Sequence, residues 1–83
     1  MAREAQDRVR LVFPAPGAEV SAGRVVLRAA GGRRPLTFLV DGAPLDSVPA
    51  RRDAAWLPEG PGQYRITVLD ADGASATLPL RVR

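Results

Sequence analysis

Eighty-three residues, 46% of them hydrophobic, make one folding unit that is too short for two cores and too apolar for a disordered tail. Twelve basic residues against nine acidic ones give a net charge of +3, and every basic residue is arginine. Histidine, cysteine and lysine are absent, which excludes His-based triads, cysteine nucleophiles, Schiff-base lysines and Ser–Lys pairs. The apolar runs are only a few residues long, so no direct membrane insertion is expected. Met1 is followed by Ala2-Arg3-Glu4-Ala5-Gln6-Asp7-Arg8, without the apolar core of a signal peptide, so an exported form would be a piece of a longer chain. A cysteine-free chain suits cytoplasm or periplasm equally.

Residues 1–7 mix charge and alanine without a sheet period and are expected to form a flexible linker to a domain over residues 8–83. Val9, Leu11 and Phe13 alternate with Arg8 and Arg10 as a first strand facing the core, stopped by Pro14-Ala15-Pro16-Gly17. Arg24 to Ala30 forms the second strand, with Val25, Leu27 and Ala29 inward and Arg24, Val26 and Arg28 outward, and Gly31-Gly32 ends it. Leu36 to Val40 is the third. Asp41-Gly42 then supplies a two-residue type I′ turn, because that turn needs positive φ at both central positions, and Ala43 to Leu45 returns as a short partner.

A less regular stretch from Asp46 to Asp53 leads to a strand over Ala54-Ala55-Trp56-Leu57, closed by Pro58-Glu59-Gly60-Pro61-Gly62. Tyr64, Ile66 and Val68 then share one face of a strand, with Arg65 and Thr67 on the other. After a turn at Asp72-Gly73, Ala76, Leu78, Leu80 and Val82 alternate with Ser75, Thr77, Pro79 and Arg81. Pro79 has no amide hydrogen to donate, so at that point the last strand is expected to have an open edge.

These short strands without helical periodicity indicate an all-β, immunoglobulin-like antiparallel β-sandwich of about seven strands, with a small barrel as the runner-up. A glycine two residues before the strand-initial Tyr64 matches the tyrosine corner of such sandwiches. Where antibody domains place a cysteine, this chain has Ile66, so that part of the core is held by packing.

Carboxylates are the remaining acid–base candidates. Asp41, Asp70 and Asp72 fall at turns, where aspartate is expected for its backbone hydrogen bonds rather than for catalysis. Asp70-Ala71-Asp72-Gly73 also resembles a fragment of a calcium loop, but Ala74 to Thr77 add no carboxylate, so no metal and no cofactor are expected. Arg33-Arg34 and Arg51-Arg52 lie in the two least regular stretches. An all-arginine complement reads first as the mark of a GC-rich genome, yet arginine suits bidentate contact with carboxylate or phosphate, which makes Arg33, Arg34, Arg51 and Arg52 the candidate binding residues. Nucleic acid is not the expected partner. Of the four aromatics, Phe13, Phe38 and Tyr64 fall on inward parity and Trp56 is flanked by Ala55 and Leu57, which leaves no exposed stacking platform. The large strand side chains likewise keep to one parity, so little apolar material is expected on the surface.

The succession Leu36-Thr37-Phe38-Leu39-Val40-Asp41-Gly42-Ala43-Pro44-Leu45, then Arg51-Arg52, then Trp56-Leu57-Pro58-Glu59-Gly60-Pro61-Gly62, then Ile66-Thr67-Val68-Leu69-Asp70-Ala71-Asp72-Gly73 resembles the C-terminal domain of class A penicillin-binding proteins of the 1C type. The likeness covers roughly residues 9 to 83 and departs from the family at Phe38, where a tryptophan is usual. It implies a non-catalytic accessory or docking domain of a bacterial, periplasmic peptidoglycan synthase anchored in the inner membrane, whose glycosyltransferase and transpeptidase domains lie upstream. None of that family's catalytic residues has a counterpart in this chain. The implied partners are the upstream transpeptidase domain, another periplasmic protein or peptidoglycan itself, with the isolated domain a monomer. The competing class is an adhesion or carbohydrate-binding sandwich from a larger surface protein.

Overall fold

The computed structural model describes residues 8–15, 17–46 and 50–83, which form eight strands and no helix. The linker expected over residues 1–7 lies outside the described residues. The strands are β1 (Arg10–Phe13), β2 (Glu19–Val20), β3 (Val25–Ala30), β4 (Thr37–Val40), β5 (Ala43–Pro44), β6 (Asp53–Trp56), β7 (Gly62–Leu69) and β8 (Ser75–Val82). They form a three-stranded sheet, β1-β3-β6, and a five-stranded sheet, β2-β8-β7-β4-β5. The two pack face to face as the expected sandwich.

The core follows the period-2 pattern closely. Val25, Leu27 and Ala29 from β3, with Ala54 and Trp56 from β6, meet Phe38, Val40, Ile66, Val68, Leu78, Leu80 and Val82 from the opposite sheet. Phe38, Leu27, Ile66 and Val68 are fully enclosed. Burying an aliphatic or aromatic side chain of this size contributes about 1.5 to 3 kcal/mol, so this interface is the main source of stability in a cysteine-free chain.

Turn chemistry fixes the register. Asp41 and Gly42 both have positive φ, 50° and 86°, and bring Val40 opposite Ala43 as a type I′ hairpin requires. The β7–β8 connection is longer than a two-residue turn at Asp72-Gly73: Leu69 pairs with Ser75, which leaves a five-residue loop over 70–74. Across that long hairpin, Thr67 and Thr77 share a hydroxyl–hydroxyl hydrogen bond of 3.0 Å.

Pro79 sits as its chemistry requires. The amides of Arg81 and Arg83 donate to the carbonyls of Ala18 and Val20, on the β2 side. Alternate residues of a strand direct their amides to the same side, so the Pro79 nitrogen faces that side too, beyond the reach of β2, which pairs only with residues 81 and 82.

Two features differ from the sequence expectation. The short β2 strand, parallel to β8, belongs to the opposite sheet from β1, so the chain switches sheets between Phe13 and Glu19. Phe13 does not face the core. The β1–β3 register shifts between Leu11 and Phe13, so that Leu11 lies opposite Ala29 but Phe13 lies opposite Arg28. This irregularity turns Phe13 to solvent and leaves Pro14 to fill the interior.

Candidate docking surface

Three loops meet at one end of the sandwich: residues 31–36 between β3 and β4, residues 50–52 before β6, and residues 70–74 between β7 and β8. Asp70 is their hub. The residue is 9% exposed, and its carboxylate accepts the amides of Asp72 and Ala74 on Oδ1, both at 2.9 Å, and the amide of Arg33 on Oδ2 at 3.3 Å. The Ala71 amide donates back to the Arg33 carbonyl at 2.8 Å, so loops 37 residues apart in sequence are joined in both directions. Burial pushes the Asp70 carboxyl up, but the backbone hydrogen bonds from Ala74, Arg33, Asp72 and Gly73 outweigh it and hold the group below its ordinary value of 3.8. Asp41 has the same kind of role at the hairpin, accepting the Arg65 amide at 2.8 Å.

Gly32 permits the approach of these loops. It has φ +74°, and a Cβ there would stand 2.6 Å from Val9 Cβ and 3.1 Å from Asp70 Oδ2. A side chain has no room, and an L-residue disfavours that backbone conformation.

The structure brings the four candidate arginines together and gives them unequal roles. Arg52 is half-buried and its two terminal nitrogens donate to the carbonyls of Gly31 and Gly32, the latter at 3.2 Å, so this guanidinium holds the glycine loop in place. The Arg34 guanidinium donates to the Ala50 carbonyl at 3.0 Å. Arg33 pairs with Asp72 at 3.5 Å and Arg51 with Asp53 at 3.1 Å, both as exposed surface pairs. Arg33, Arg34 and Arg51 therefore present their charge to solvent, whereas Arg52 turns its donors inward. The even spacing of Arg33-Arg34 and Arg51-Arg52 gave no sign of that division; the adjacent Gly31-Gly32 carbonyls, left without strand partners, are its cause.

At the opposite end of β7, the Tyr64 ring meets Trp56 edge to face, with centroids 4.8 Å apart and planes at 75°, and its hydroxyl bonds to the Gly60 backbone. The tyrosine corner is formed.

A second surface feature goes beyond the sequence expectation, which set Val26 outward but Phe13 inward. Val12, Phe13 and Val26 are 49%, 52% and 38% exposed on the outer face of the three-stranded sheet, so the large side chains do not all keep to one parity there.

Among solved structures, the chain is similar to the fibronectin(III)-like modules of Clostridium thermocellum CbhA, at 22% identity over 89% of this chain and 92% of that one, with a TM-score of 0.65. At that identity the likeness speaks for the fold, and it agrees with the immunoglobulin-like sandwich described above. No curated protein matches the chain. The model of the Penicillin-Binding Protein C-terminus Family matches residues 1–82, nearly the whole sequence. The 83-residue sandwich thus belongs to the Penicillin-Binding Protein C-terminus Family.

Proposed function

We propose that this domain is a non-catalytic accessory module of a bacterial, periplasmic peptidoglycan synthase, working in cell-wall biosynthesis by docking rather than by chemistry. The family match over residues 1–82 carries this reading. The composition supports it: without lysine, histidine or cysteine, the chain lacks the Ser–Lys, Ser–His and cysteine arrangements that activate a nucleophile for acyl transfer. Asp70, the buried carboxylate, has both oxygens turned to backbone amides. The parent protein, on this reading, is the glycosyltransferase–transpeptidase and carries the membrane anchor.

The loop arginines are the proposed contact with the partner. Arg33, Arg34 and Arg51 lie at one end of the sandwich, where an acidic surface of the transpeptidase domain, of another periplasmic protein or of the wall peptides would meet three guanidinium groups. Such contacts weaken as salt is raised, since exposed charges are screened over about 8 Å at physiological ionic strength.

Labelling with a fluorescent penicillin tests the non-catalytic assignment: the domain is expected to stay unlabelled while the upstream synthase portion is acylated. A specific acylated band on the 83-residue chain overturns it. Binding of purified wall fragments and of upstream domains to the native chain, compared with a variant in which Arg33, Arg34 and Arg51 are changed to serine, tests the contact. Equal binding at low and high salt removes the arginines from that role.

A further inference from the structure

The outer face of the three-stranded sheet exposes Val12, Phe13 and Val26, whereas the outward row of β7 exposes one large apolar side chain, Leu69, at 37%. On the five-stranded sheet the outward positions of β7 and β8 include Gln63, Arg65, Thr67 and Thr77. On the three-stranded sheet, residues directly opposite one another share a face, and the outward rows are Arg10 with Ala30, Phe13 with Arg28 and Asp53, and Val26 with Ala55. Val12, Phe13, Val26 and Arg28 line one continuous depression. Leu57, just past β6 and on the same parity, is 70% exposed.

The register shift in β1 gives this face its largest side chain. Continued alternation from Val9 and Leu11 would have buried Phe13, but the shift sets it opposite Arg28 on the solvent side. Strand irregularities commonly re-aim a side chain in this way beside functional surfaces. Arg24 and Arg28 lie on outward parity beside the apolar strip, and the carboxylate in these rows, Asp53, is paired with Arg51.

We propose that this face is a docking surface for another protein whose apolar side chains are set among carboxylates. A second copy of this chain does not fit, because two such faces would set arginines against arginines. An anionic bilayer fits less well. Val12 and Phe13 keep about half their surface covered and line a depression, so they do not project as anchors. Apolar contact supplies affinity and the flanking arginines supply selection for acidic partners. The face is centred on Val12, Phe13 and Val26 rather than on the loop arginines, and the proposal stands or falls independently of the accessory-module assignment, which penicillin labelling decides.

The test is a titration of the isotope-labelled 83-residue chain, followed by amide shifts in nuclear magnetic resonance spectra. The probes are a short strand-forming peptide alternating glutamate with valine and phenylalanine, its counterpart with lysine for glutamate, and phosphatidylglycerol vesicles. The glutamate peptide is expected to move the amides of Val12, Phe13, Val26 and Arg28, to bind more weakly as salt is raised, and to lose about tenfold or more in affinity with Phe13→Ser, as removal of a central anchor does. Val26→Thr, which keeps the β-branch, gives the same direction should Phe13→Ser disturb the strand. Failure of the glutamate peptide to bind at millimolar concentration overturns the proposal. Equal binding of the lysine peptide, shifts confined to the loop arginines, or binding of vesicles alone overturns it as well.

Discussion

The Tyr64 hydroxyl donates to the Gly60 carbonyl at 2.6 Å and accepts the Gly60 amide at 3.3 Å, so one side chain satisfies both backbone groups of a residue four positions upstream. This pair closes the turn that feeds β7, and β7 lies between β8 and β4 in the five-stranded sheet. Tyr64→Phe keeps the ring and its contact with Trp56 while removing the hydroxyl. Stability should fall by about 1 kcal/mol, the usual net worth of such a hydrogen bond, with some excess for the unpaired Gly60 groups. Urea unfolding measures it through the midpoint at unchanged slope, and a midpoint equal to that of the native chain would contradict the corner's role.

Much of this architecture is written in the sequence because its signals are local. Period-2 alternation marked β3, β4, β7 and β8, and Asp41-Gly42 and Gly62-Gln63-Tyr64 marked two of the turns. Features that depend on distant parts of the chain were hidden. Strand β2 is two residues long and exists only because β8 offers Arg81 and Val82 to pair with. Phe13 has the right parity for the core, and only its pairing with β3 shows that the register slips; Pro14, which cannot donate to a ladder, is the one local hint. The arginine pairs were visible as charge, but the inward turn of Arg52 depends on carbonyls 20 and 21 residues away.

Asp70 should make the protein sensitive to acid. Its folded-state carboxyl is held below the ordinary 3.8, so its contribution is present in full above the unfolded value and is lost as pH falls through the lowered folded value. Asp70→Asn removes the charge and places amide hydrogens against backbone donors. The native chain should be the more stable at neutral pH, with the difference shrinking on acidification. Urea midpoints of both proteins between about pH 2 and 7 give the comparison, and a pH-independent difference would rule out the carboxylate as its source.

Gly32→Ala should be far more damaging than Gly42→Ala, although both glycines have positive φ. At Gly42 nothing stands within 4 Å of an added Cβ, so the cost is backbone strain alone, about 1 to 2 kcal/mol. At Gly32 the added atom meets Val9 Cβ at 2.6 Å, and the neighbour it displaces belongs to the core. Strain and overpacking together put the loss at about 2 to 4 kcal/mol. Thermal unfolding of the two variants decides the point, and equal losses would mean that the loops separate freely.

The four loop arginines should divide into one that holds the fold and three that do not. Arg52→Ser leaves the carbonyls of Gly31 and Gly32 without their charged donor in a half-buried position, and stability should fall by about 1 to 3 kcal/mol. Arg33 and Arg51 take part in exposed pairs, worth at most about 1 kcal/mol each, and solvent screening lowers that further. Arg34 donates to the Ala50 carbonyl from an exposed position, so its guanidinium is readily replaced by water. Changing Arg33, Arg34 and Arg51 together to serine should therefore leave the unfolding midpoint nearly in place while removing three positive charges from one end of the sandwich. The circular dichroism spectrum and the urea midpoint of the triple variant, set beside those of Arg52→Ser alone, measure the division. A triple variant as unstable as Arg52→Ser would mean that all four guanidinium groups are structural, and the loop end would then have no charge to spare for an acidic partner.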